Sequence, residues 1–332
     1  MTTRKVSPEF KQEVKSTLHW TLPVADDSSI STTEVAWNLF TNLLNEGIQG
    51  GQLQTNPISS TYSLVYTVSN AYIGGVLAPN GDIHFVPHRA NRGQKISASG
   101  IVSTYSLVYT TTTAYAGGVL APNGDIHFVP HSANRGQKIS ATGVVSTYSL
   151  VYTVSNAYHG GVLAPNGDIH FVPAGANRGQ KISAAGVVST YSLVYTVSEA
   201  YAGGVLAPNG DIHFIPKSAN RGQKISAAGV VSTYSLVYTT TNAYAGGVLA
   251  PNGDIHFVPA RANRGQKISA TGVVSTYSLV YTTTNAYVGG VLTPNGDIHF
   301  VPYDADRGQK ININSGIDFP IGVCLHPFYN KV

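Results

Sequence analysis

One unit of 43 residues recurs six times without insertion or deletion, and this periodicity constrains the fold more than any other feature. TYSLVYT places its first tyrosine at Tyr62, Tyr105, Tyr148, Tyr191, Tyr234 and Tyr277. GGVLxPNGDIHFxP follows each one, starting at Gly74, Gly117, Gly160, Gly203, Gly246 and Gly289, and NRGQKI or DRGQKI comes next. A period between 20 and 50 residues means a stacked or radial repeat architecture in which each unit is one supersecondary element.

Each unit reads as four short strands. Tyr62, Leu64 and Tyr66 alternate with Ser63, Val65 and Thr67, the two-residue period of a strand. Gly75-Val76-Leu77-Ala78 is a second run, and Pro79-Asn80-Gly81-Asp82 after it is a tight turn, because Asn-Gly readily takes positive φ. Ile83-His84-Phe85-Val86 stops at Pro87, which has no amide to offer a ladder, and Gln94-Lys95-Ile96-Ser97 makes the last strand. Four strands in 43 residues is the size of a propeller blade. The expectation is an all-β, six-bladed β-propeller in which GGVLAP is the inner strand and TYSLVYT the outer. A TYSLVYT segment precedes the first inner strand and none follows the last QKI, so residues 60–68 are expected to pair with residues 309–313 and close the sixth blade. Closure of that kind removes exposed sheet edges.

The units resemble the GGVLxPNG repeats of β-propeller proteins, and the blade order resembles that of NHL-type propellers, over roughly residues 60–313. The resemblance implies a fold. It implies little about activity, since propellers host binding proteins and enzymes alike.

Composition narrows the setting. The net charge of +4 is spread around the ring, because twelve of the 20 basic residues are repeat copies of one Arg and one Lys. No nucleic-acid partner is expected from so dispersed a surplus. Apolar runs are too short to insert in a membrane, and the single cysteine, Cys324, leaves no internal disulfide. The start, MTTRKVSPEFKQEVK, lacks the apolar core of a secretory signal, so synthesis in a cytoplasm is expected, and a place in a virion is compatible with it.

Copies can be compared with one another. The Asn-Gly-Asp turn and the third-to-outer turn scarcely vary, whereas the loops expected on the opposite face do. The residue before Gly-Gly is Ile73, Ala116, His159, Ala202, Ala245 or Val288. The pair after the strand-ending proline is His88-Arg89, His131-Ser132, Ala174-Gly175, Lys217-Ser218, Ala260-Arg261 or Tyr303-Asp304, and Glu199 stands alone in a connector. Ile73, His88, Arg89, His131, His159, Glu199, Lys217, Arg261, Tyr303 and Asp304 therefore define a candidate recognition face for a glycan or host receptor. Drift in unpacked loops accounts for the same pattern equally well.

The invariant polar rings read as structural. His84, His127, His170, His213, His256 and His299 lie mid-strand and are expected to hydrogen-bond a neighbour. The Asp ring beginning at Asp82 suits backbone contacts in its turn, one Asp per blade being too dispersed for calcium, and the Arg ring beginning at Arg92 suits a carbonyl or that Asp. No metal or cofactor site and no irregular His, Asp and Glu cluster is read, and no Walker loop, Cys-x-x-Cys or nucleophile elbow occurs.

Residues 1–57 form a different segment, ahead of a propeller expected over 58–313 and an apolar tail over 314–332. Ser7-Pro8-Glu9 starts one helix with Phe10 and Val14 on a face, and the capping box Ser31-Thr32-Thr33-Glu34 starts a second. Val35, Trp37, Leu39, Phe40, Leu43 and Leu44 in it are expected to dock on a protein partner. Together these features point to a non-enzymatic binding or scaffold propeller anchored through a short N-terminal helical arm, such as a virus or phage structural or attachment component. A glycan-binding lectin and a propeller hydrolase are the alternatives.

Overall fold

A computed structural model describes residues 61–313, and the strands within it repeat at the period of the sequence. The inner strands are β1 (Tyr72–Leu77), β5 (Tyr115–Leu120), β9 (Tyr158–Leu163), β13 (Tyr201–Leu206), β17 (Tyr244–Leu249) and β21 (Tyr287–Leu292). Blade 1 continues through β2 (Ile83–Pro87), β3 (Arg92–Ile96) and β4 (Val102–Ser106), all antiparallel in the order β1-β2-β3-β4. Blades 2 to 5 repeat that meander as β5–β8, β9–β12, β13–β16 and β17–β20. The sixth sheet has three strands, β21, β22 (Ile298–Pro302) and β23 (Gln309–Ile311). The fold is an all-β propeller of six sheets, with no helix among the described residues. The arm, with Phe10, Val14, Val35, Trp37, Leu39, Phe40, Leu43 and Leu44, and the tail over 314–332 lie outside the described residues.

Two glycines in each of blades 2 to 5 have an identifiable reason. Gly136 in β7 (Arg135–Ile139) faces Tyr148 in β8 (Val145–Ser149), and the tyrosine ring fills the space a Cβ would need. Gly161 in β9 receives the blade before it: a Cβ there would come within 2.9 Å of Val119 and 3.1 Å of Val129. The core accordingly sits between blades. Val76 and Val86 of blade 1 pack with Tyr115, Ile126, Phe128 and Ile139 of blade 2, and the arrangement recurs at each following junction.

The outer strand departs from the sequence reading. It spans Val102–Ser106 and its counterparts, and Leu107-Val108-Tyr109 leaves the sheet. Gln137 of the next blade, fully buried, accepts the amide protons of Val108 and Tyr109 at 2.9 Å each, which diverts the chain across the junction. Buried backbone donors require such a partner.

The closing strand expected from residues 60–68 is not found among the described residues. The amides of Val65 and Tyr66 donate to Gln94 of blade 1, in the manner of the later connectors, and β23 pairs with β22 alone. The packing that joins consecutive inner strands from β1 through β21 has no counterpart of similar extent between β21 and β1. Ile83 is 38% exposed where its blade 2 equivalent Ile126 is 1%, and Val301 is 41% exposed where Val258 is 0%. Five junctions of one design are thus made, and among the described residues a sixth of that design is not found.

Candidate functional site

Residues common to all copies hold the blade together. His127 Nδ1 lies 3.4 Å from the Tyr148 hydroxyl, and the contact recurs at 3.3 Å for His84 with Tyr105, His170 with Tyr191, His213 with Tyr234 and His256 with Tyr277. Burial, aided by the nearby lysine, lowers these imidazoles, His127, His170, His213 and His256 to about 4. Lys95 Nζ meets Asp82 Oδ2 at 2.7 Å, and the Ala98 amide donates to Oδ1. That pairing holds the Asp82 carboxyl below the usual carboxylate range. At Asp125 burial pushes upward, but Lys138 and the Ala141 amide outweigh it. Lysine, not the Arg of the NRG turn, is the partner of the Asp ring, while the Arg92 carbonyl accepts the Tyr72 hydroxyl.

The loops that differ between copies are built on one carbonyl. The Ala71 oxygen accepts the amides of His88, Arg89 and Ala90, which places the post-proline loop beside the connector entering the inner strand. The His88 carbonyl then accepts the amide of Ala114 in the following connector, and the same link recurs from His131 to Ala157 and from Lys217 to Ala243. First glycines of successive inner strands approach one another around the axis, Gly117 toward Gly160 and Gly160 toward Gly203.

Here the fold gathers five of the ten singled-out residues. The His88 and His131 rings are 6.0 Å apart, and those of His131 and His159 are 6.4 Å apart. His88 Nδ1 lies 3.1 Å from the Tyr115 carbonyl and His159 Nδ1 lies 3.2 Å from the Ala202 carbonyl. A carbonyl only accepts, so Nδ1 carries the proton in both rings and Nε2 keeps a lone pair. Burial lowers His159, with Lys217 and His88 adding to the effect while the Ala202 carbonyl and Glu199 oppose it. His131 is lowered by burial first and then by His159. Both rings are neutral at physiological pH, as a proton acceptor must be.

Glu199 and Lys217 complete the cluster through an ion pair of 3.1 Å. Glu199 has φ 53°, at a position where Asn70, Asn156, Asn242 and Asn285 have the same left-handed backbone. Asparagine tolerates that region and glutamate does so at a penalty of order 1 kcal/mol. With side chains 35% and 53% exposed, the pair adds about 0.2–1 kcal/mol, too little to offset the strain with a margin. Thr113 of blade 2 has the same left-handed backbone at φ 54°, so the position admits residues other than asparagine.

The other singled-out residues stand apart from this cluster. Arg261 Nε donates to Asn285 Oδ1 at 3.1 Å and Asn285 Nδ2 donates to Asp304 at 3.2 Å, a separate polar group in blades 5 and 6. Tyr303 and Ile73 are exposed at the open junction, and Arg89 is exposed. Thr113 and Ser132 hydrogen-bond at 3.1 Å beside His131, and they are not among the singled-out residues because neither is unusual in a loop. The expectation that no irregular His and acidic cluster exists is corrected by these contacts. Its members come from four blades, and only the ring geometry makes them neighbours.

A β-propeller with unlike ionisable side chains gathered from successive blades is the class of protein that this fold and candidate site define. The chain belongs to the virginiamycin B lyase family, whose model matches residues 32–306. Solved structures agree on the fold. A catalytically inactive histidine-to-alanine variant of virginiamycin B lyase from Staphylococcus aureus, with quinupristin, is 20% identical with a TM-score of 0.63, covering 76% of this chain and 85% of that one. A streptogramin B lyase is 24% identical with a TM-score of 0.61, over 74% of this chain and 84% of that one. A functionally unknown protein from Desulfotomaculum acetoxidans is 12% identical, with a TM-score of 0.55 over 75% and 84%. No curated protein matches the sequence. Membership of a lyase family overturns the expectation of a non-enzymatic scaffold or virion component.

Proposed function

We propose that the chain is a lyase whose reacting centre is the mouth cluster of His88, His131, His159, Glu199 and Lys217. A lyase breaks a bond by elimination: a base removes a proton, the released electron pair forms a double bond, and the leaving group departs with its own pair. The observation that carries the reading is His159, which is neutral, has Nδ1 engaged by the Ala202 carbonyl, and has an Nε2 lone pair to accept that proton.

Quinupristin, named with the staphylococcal lyase, is the first substrate to try. Elimination within a ring opens it without change of mass, whereas hydrolysis adds one water, so mass spectrometry separates lyase from hydrolase. Conversion to an isomer that falls about 10²–10⁴-fold in a His159→Gln variant supports the reading. A product heavier by one water, or turnover indifferent to His159, overturns it.

A further inference from the structure

Polar clefts lie between blades at the Asn-Gly-Asp turns, the opposite end of the inner strands from the mouth cluster. Between blades 4 and 5 a cleft of about 170 Å³ has Asp211, His213, Lys224 and Tyr234 on one wall and Ile255 and Thr271 on the other. The cleft between blades 2 and 3, about 460 Å³, repeats it with Asp125, His127, Lys138 and Tyr148 facing Ala185. One polar atom in this arrangement is left over. His213 is 5% exposed and its Nδ1 lies 3.3 Å from the Tyr234 hydroxyl, which leaves Nε2 without a partner. In blade 5 the corresponding His256 Nε2 is buried and likewise unmet. Folded proteins rarely leave such an atom unsatisfied, and the same ring stands in each blade.

We propose that each of these clefts binds one ring of a neutral sugar, with one hydroxyl on the histidine Nε2 and a neighbouring hydroxyl accepting from the lysine. The chemistry of the wall selects that class. Lys224 pairs with Asp211 at 2.6 Å, so the two charges cancel, and burial keeps the imidazole neutral, which leaves nothing to attract an ion. The ammonium still has two N–H donors beyond its ion pair. The contact with the tyrosine hydroxyl suits either tautomer, so Nε2 is an acceptor in one and a donor in the other, and a hydroxyl serves both. Ile255 offers an apolar surface for the C–H face of a ring. At about 170 Å³ the cleft lies below the roughly 300–1,000 Å³ of sites for drug-sized ligands and suits a single ring. Equivalent clefts at successive junctions would bind a glycan at several points at once, where linkage raises affinity without any new contact. The site is separate from the mouth cluster and stands whether or not the chain is a lyase.

The test follows the histidine ring nitrogens of the full chain by NMR while glucose, galactose, mannose and N-acetylglucosamine are titrated in singly. With at least one of them, the Nε2 resonances of His127, His170 and His213 should shift together and saturate. Thr271→Phe, at an exposed turn position, fills the cleft between blades 4 and 5 and should abolish the His213 response. The His127 and His170 responses should persist in that variant, and they report that the fold is intact. Ala185→Phe, also exposed, should silence His127 in the same way and leave His213 responsive. Rings that answer to none of the four sugars hold water only, and the proposal falls. It falls equally if His213 still responds in Thr271→Phe and His127 in Ala185→Phe, because the sugar then acts from elsewhere.

Discussion

Acidification should unfold this propeller through its buried histidine ring before its carboxylates protonate. His127, His170, His213 and His256 are at most 6% exposed and are lowered to about 4 by burial. In the unfolded chain each returns to the ordinary histidine value of about 6.5. The folded pKa lies below the unfolded one, so between about 4 and 6.5 the unfolded state binds more protons, and stability falls as pH falls through that window. At pH 5 each ring is essentially neutral when folded and charged when unfolded, which costs about 2 kcal/mol per ring, or about 8 kcal/mol for four. A single domain has about 5–15 kcal/mol to lose. The Asp–Lys pairs, whose carboxyls are depressed, keep their contribution above the carboxylate range and surrender it only at lower pH.

The assay is equilibrium urea unfolding by far-ultraviolet circular dichroism, approached from both directions, at intervals from pH 7 to pH 4.5. Stability should fall steeply near pH 5.5, with an uptake of about four protons per molecule unfolded. His170→Asn, which retains an acceptor for the Tyr191 hydroxyl, should reduce that uptake by about one. Equal unfolding free energies at pH 7 and pH 5, or a slope unaltered by His170→Asn, would refute the account of the ring as buried and neutral.

Three further outcomes follow from the junctions and the mouth. Gln180 takes the amides of Val151 and Tyr152 at 3.0 and 2.9 Å, so Gln180→Ala removes the acceptor of two part-buried donors and should destabilise by about 1–3 kcal/mol in thermal or urea melts. Gly204→Ala would bring a Cβ within 2.7 Å of Val162 and 3.0 Å of Val172 and should lose about 1–3 kcal/mol, whereas Gly75→Ala, which meets only its own blade, should stay within about 0.5 kcal/mol. Equal losses for the two glycines in the same melts would mean that the sixth junction is made like the rest. Glu199→Asn should raise stability by about 1 kcal/mol by suiting the left-handed backbone while lowering turnover, and a variant both less stable and fully active would contradict the assignment.

What was legible in the sequence follows from how each feature is encoded. The blade repeats six times, so its strands and its Asn-Gly turn are written redundantly, and Gly81 at φ 85° shows the turn as read. The outer strand was placed too late because Tyr62-Ser63-Leu64-Val65-Tyr66 alternates over its whole length, while the strand ends where a distant glutamine captures the next amides. Alternation reports which faces a segment can present, but not where a tertiary hydrogen bond ends the pairing. Closure of the ring was inferred from the count of strands alone. Whether six junctions of equal angle meet depends on the packing of Val76, Val86 and Gly118, and no residue type declares an angle.

The site shows the same division between what is local and what is not. Every member of the mouth cluster was visible as a departure from the repeat, since a perfect repeat makes any substitution conspicuous. Their convergence was not visible, because His88, His131 and His159 are spaced by 43 and 28 residues and become neighbours only when one blade's loop overhangs the next blade's inner strand. Glu199 stands in a left-handed turn where four sister blades have asparagine and one has Thr113, and its exposed ion pair adds little. Six nearly identical blades thus give the chain its internal control. The frame is read from what all copies share, and the candidate site from the few positions where one blade departs from the rest.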